Sequence, residues 1–159
     1  MYKHREDSTY MTAHDCFAET FRMDGRDLVL EFPHGIWVGA EHPHNPHGRP
    51  VGTDAACLRF TEVAAEEDEV FDCCELHLMG KLRLGRRRTR SLYEIKEILI
   101  FLQKKHARLE ILDVYTNDSL PMIHGFLHLS PRKTVECFWI IEAKSVQYLW
   151  NDLSPDRAW

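Results

Sequence analysis

Three histidines crowd one short stretch, Glu41-His42-Pro43-His44-Asn45-Pro46-His47-Gly48. Neutral imidazole is a good ligand for zinc, nickel or copper, and short His-rich tracts bind such ions. A transition-metal site on His42, His44 and His47 would need a fourth group or solvent, for which Glu41, His34, Cys57 and Asp54 are candidates. The prolines hold their neighbours extended, so the rings converge only if the loop turns back on itself. The competing reading is an exposed polar loop whose histidines meet water. A second pair, His124 and His128, stands four residues apart in an alternating run and shares one strand face, with His77 on the wetter face of another. These rings could converge on a ligand, or pack as half-exposed strand positions.

Two charge runs carry other options. Arg86-Arg87-Arg88-Thr89-Arg90 precedes Ser91, where a helix is expected to begin, so Arg86, Arg87, Arg88 and Arg90 could grip an anion beside the first helical amides. The alternative is a solvated turn facing Glu66-Glu67-Asp68-Glu69. Those four carboxylates are candidate steering charges for a protein partner. Cys16, Cys57, Cys73, Cys74 and Cys137 fall in expected strands, where most thiols are buried and inert. The chain contains no nucleophile elbow, phosphate-binding loop, dinucleotide fingerprint or His-Glu-x-x-His helix, so an enzyme would have to rely on carboxylates that leave little trace in a sequence.

The elements that position these groups follow from periodicity. Ser91 and Glu94 can cap a helix whose apolar stripe is Leu92, Ile95, Ile98, Leu99 and Leu102, with Lys104, Lys105 and His106 at its negative end. This predicts one amphipathic helix at about 91–106. Around it, alternation predicts about seven strands, drawn from a hairpin over Asp15–Met23 and Leu28–Phe32 turning at Asp24-Gly25, then Ala56–Phe60, a long run through Cys74–Leu84, Ile111–Tyr115, Ile123–Leu129, and a closing pair turning at Ala143-Lys144-Ser145. Glu41–Asp54, rich in Pro, Gly and His, predicts an exposed loop. The expected fold is α+β, a predominantly antiparallel sheet or partly open barrel backed by the helix. Residues 1–13 read as a flexible arm, 14–153 as one globular domain and 154–159 as a tail.

Composition narrows the class. A formal net charge of -5 over 159 residues gives no global attraction for nucleic acid or anionic lipid, so neither is an expected partner. No apolar run suits secretion or membrane spanning, and five cysteines without a pairing pattern fit reduced thiols in a cytoplasm.

Two resemblances bear on function. His42-x-His44 resembles the opening of a cupin metal motif, but the acidic ligand that should follow at short spacing is missing. The segments Leu28–Val38, Ile123–Leu127, Phe138–Ile141 and Tyr148–Trp150 look like small bacterial proteins of uncharacterised families, some similar to toxin-immunity proteins. That resemblance implies a compact acidic binder of another protein and transfers no site residues. The expectation is a non-enzymatic, immunity-like interaction module without a cofactor; the alternative is a small-ligand or zinc- or nickel-binding domain, conceivably an enzyme, using the His-rich loop.

Overall fold

The computed structural model describes residues 2–6, 9–63, 92–116 and 120–158. Among these are thirteen short strands and one helix. In chain order they are β1 (His4–Glu6), β2 (Met11–Thr12), β3 (Cys16–Ala18), β4 (Thr20–Asp24), β5 (Asp27–Phe32), β6 (Trp37–Val38), β7 (Val51–Thr53), β8 (Ala56–Thr61), α1 (Leu92–Lys104), β9 (Arg108–Tyr115), β10 (Met122–Ser130), β11 (Lys133–Ile140), β12 (Ser145–Trp150) and β13 (Leu153–Ala158). Every pairing is antiparallel. They build three sheets, ordered β1-β12-β8-β5-β4, β11-β10-β9-β3 and β13-β7-β6-β2. The sheet-rich α+β character matches the expectation, but about seven strands is too few, and among the described residues no sheet closes into a barrel.

The extra strands arise because long runs break at corners and change sheets. Asp15–Met23, expected as one strand, splits at Glu19. There the Glu19 amide bonds the Glu31 carbonyl at 3.0 Å while Thr20 is paired opposite the same Glu31, a bulge at which β3 goes to β9 and β4 to β5. The expected β4–β5 hairpin is present, and Gly25, at φ +63, supplies the left-handed turn residue at no steric cost. Ala143-Lys144-Ser145 does not close a hairpin. β11 pairs with β10, while β12 crosses over to lie between β8 and β1. The arm expected at 1–13 is paired in two places, β1 on β12 and β2 on β6, with Met11 and Ala13 buried. The tail expected at 154–159 continues β13 on β7. Both terminal runs are too polar to show apolar alternation, yet backbone pairing needs none.

One core joins the sheets and the helix through Phe21, Leu30, Phe60, Leu99, Ile111 and Trp139. β10 alternates cleanly: Ile123, Gly125 and Leu127 face this core, and His124, Phe126 and His128 face outward. At Gly125 a Cβ would meet the Glu110 carbonyl at 2.2 Å, so glycine permits the close approach of β9 beside a bulge. Helix α1 ends in a Schellman motif. The amides of His106 and Ala107 bond the carbonyls of Gln103 and Leu102, with His106 in the left-handed position at φ +48. Its described span is Leu92–Lys104; the left-handed His106 ends it before the expected bound at 106, and Ser91 lies outside the described residues. Among the described residues no helix is long and apolar enough to cross a membrane.

Candidate functional site

The His-rich loop is anchored through His42, whose side chain is 1% exposed. Its Nδ1 accepts the His44 backbone N–H at 3.1 Å, which places the ring proton on Nε2. Nε2–H donates to Glu6 Oε2 at 2.7 Å, and the other carboxylate oxygen of Glu6 accepts the indole N–H of buried Trp150 at 2.7 Å. β1, the loop and β12 therefore meet at one carboxylate. Burial raises the Glu6 pKa, but the bonds from His42 and Trp150 outweigh it and hold the carboxyl below its ordinary value. His4 caps the cluster, stacked on Trp150 at 4.1 Å and tilted against His44 at 4.6 Å between ring centroids.

Asn45 fixes the rest of the loop. The two hydrogens of its Nδ2 are shared among the carbonyls of Val38, Gly39 and Arg49 at 2.8–3.1 Å, and its Oδ1 accepts the His47 amide at 3.0 Å. The segment expected to be an exposed loop is thus partly core: His42 and Asn45 are buried, and Val51–Thr53 is β7. Both ring nitrogens of His42 are spent within the protein, while His44 and His47 are exposed. The structure does not gather the three into one ligand set. Among the described residues no group of three or more His, Cys, Asp or Glu side chains is placed to hold a metal ion. Of the other candidate ligands, Cys57 lies against Val29 and Leu149, where burial pushes its thiol up to about 11.

On the outward face of β10, His124 Nε2 meets Glu136 Oε1 at 2.8 Å and His128 Nε2 meets Glu110 Oε2 at 2.9 Å, with Phe126 between the two pairs. Thr134 Oγ1 lies 3.1 Å from His128 Nδ1, and His124 stacks on Phe138 at 4.2 Å. The two histidines share a face as expected, but each is bound to its own carboxylate rather than converging with the other.

Helix α1 presents the other notable surface. Leu99 and Leu102 are buried, whereas the adjacent Ile100 and Phe101 are each 51% exposed. Beside them a shallow groove of about 250 Å³ separates α1 from β4, the edge strand of its sheet. Phe21, Met23 and Leu99 line it, with Arg22, Lys96, Ile100 and Gln103 around them. Gln103 Nε2 donates to the Phe21 carbonyl at 2.7 Å, taking the place a further strand's amide would occupy.

No known protein family, curated protein or solved structure matches this chain. Its chemistry is therefore argued from its own geometry. Glu66, Glu67, Asp68, Glu69, Arg86, Arg87, Arg88, Arg90, His77, Cys73 and Cys74 lie outside the described residues. Cys16 and Cys137 are buried, and burial pushes the Cys16 thiol up to about 12, the inert state expected for most of the cysteines. Sequence reasoning missed His4 and Glu6 beside the loop, although their i, i+2 spacing on an exposed strand already set them on one face. It also missed the outward Ile100 and Phe101, since the stripe drawn for the helix left them unassigned.

Proposed function

We propose that the protein is a non-enzymatic protein-interaction module and that α1, with the neighbouring edge of β4, is its contact face. The observation that carries this reading is the adjacent exposure of Ile100 and Phe101 beside the groove floored by Phe21 and Leu99. Apolar surface left in water forgoes roughly 25 cal/mol per Å², and contiguous apolar patches mark interaction sites. The resemblance to toxin-immunity proteins points toward the same class of role.

The test is site-specific photocrosslinking in cells, with benzoylphenylalanine at Phe101 or, as a control, at exposed Lys133 on the far turn of β11. The reading expects a discrete adduct with another protein at Phe101, absent at Lys133 and lost with Ile100→Asp while circular dichroism stays unchanged. Equal labelling at both positions, or a Phe101 crosslink landing inside the same chain within residues 64–91, would overturn it.

A further inference from the structure

We infer that the segment received by this face is acidic, with one large apolar side chain entering the α1–β4 groove and flanking carboxylates meeting the lysines of α1; the inference rests on the interaction reading above. The chain as a whole is acidic, at -5, yet this face is not. Lys96, Lys104 and Lys105 are exposed along the helix and its end, and no ion pair holds any of them among the described residues. Glu97 is the one acidic side chain described on the helix. The neighbouring charges on β4 are already matched: Arg22 pairs with Glu31 at 2.9 Å and with Asp24 at 3.7 Å. Lys105 also leans over the Phe101 ring at 5.8 Å, bringing positive charge to the apolar patch itself.

Lys96 lining the groove, with Lys104 and Lys105 farther along the same helix, gives the apolar patch a positive rim that selects by sign. Carboxylates are drawn in and oriented by the rim, while a basic segment is repelled before its apolar anchor can seat. The groove has room for one bulky side chain, which would cover half-buried Met23 and exposed Ile100 above the already buried Phe21 and Leu99.

The probe is a synthetic peptide with a central phenylalanine flanked on both sides by aspartates and glutamates, titrated into the full-length 15N-labelled protein. We expect shift changes at Phe21, Met23 and Leu99–Phe101, and affinity that falls as salt is raised. Lys96→Glu, Lys104→Glu, Lys105→Glu together should weaken binding by on the order of tenfold or more, since steering and pairing are both reversed. The same peptide with lysine flanks, or with the phenylalanine replaced by serine, should not bind there.

Equal binding of the lysine-flanked peptide, shifts confined to another surface, or unchanged affinity in the triple variant would overturn the inference. So would concentration-dependent shifts at Leu99–Phe101 without peptide, which would make a second copy of the chain the occupant. A Phe101 adduct with another protein, combined with no acidic-peptide binding, would sink the acidic partner and leave the contact face standing.

Discussion

Glu6→Gln tests whether the carboxylate at the meeting point of β1, the histidine loop and β12 holds them together. Glu6 accepts two hydrogen bonds, from His42 Nε2–H and from the Trp150 indole N–H, through its two oxygens. Glutamine offers one acceptor oxygen, and its amide nitrogen must face one of those two donors. The imidazole cannot relieve the conflict by moving its proton, because Nδ1–H would then confront the His44 amide that Nδ1 now accepts. One buried donor is left unsatisfied, at a cost of about 1–3 kcal/mol. For a chain of this length each kcal/mol lowers Tm by about 2–4 °C. The folded carboxyl is held below its ordinary value of 4.5, so the ionised form contributes stability that is fully present above that value and is lost as pH falls through the lower folded value. Urea unfolding followed by circular dichroism should therefore show a gap between wild type and Glu6→Gln that is full at neutral pH and narrows below 4.5. A gap of only a few tenths of a kcal/mol at neutral pH, or one that does not change with pH, would refute the assignment of Glu6 as the shared acceptor.

Asn45→Ala should destabilise by about 1–3 kcal/mol by stranding buried carbonyls, and Asn45→Asp by more, since a carboxylate would face the carbonyls of Val38, Gly39 and Arg49; chemical denaturation measures both. Elemental analysis of untagged protein purified without chelator should find no stoichiometric zinc or nickel, because His42 has no ring nitrogen to offer; near-stoichiometric metal that disappears in the His42→Ala, His44→Ala, His47→Ala variant would reverse that conclusion. Thiol labelling resolved by peptide mapping at mildly alkaline pH should leave Cys16 and Cys57 unreacted in the native protein and modify both in urea, since burial pushes their thiols up to about 12 and about 11.

The sequence announces those parts of the fold where side-chain pattern and backbone pairing agree. β10 is legible because Ile123 and Leu127 must leave water while His124 and His128 need not, and α1 because Leu99 and Leu102 recur on one face. β4 and β5 are legible because Gly25 punctuates them. β1, β2 and β13 are not, because they lack a clear apolar alternation and are held by main-chain bonds to strands their own residues do not announce, such as Trp150 opposite His4 and Val38 opposite Met11. The split of β3 from β4 is equally silent, since a bulge at Glu19 changes which sheet the chain joins without disturbing the alternation of Phe17 and Phe21.

The histidine loop shows what residue type alone leaves open. Prolines, glycines and imidazoles are what an exposed, ligand-ready loop would contain, and the same residues also suit a tight plug whose backbone needs polar side chains to satisfy it. Which of the two is realised depends on whether a carboxylate arrives from elsewhere, and Glu6 arrives from the other end of a sheet that the loop itself does not encode. Once His42 and Asn45 are committed inward, the loop's chemistry is spent on architecture. On α1 the reverse holds: Ile100, Phe101 and Lys96 have no such inward commitments among the described residues. The large exposed apolar pair thus lies on the helix, where an ordinary amphipathic reading had no place for Ile100 and Phe101.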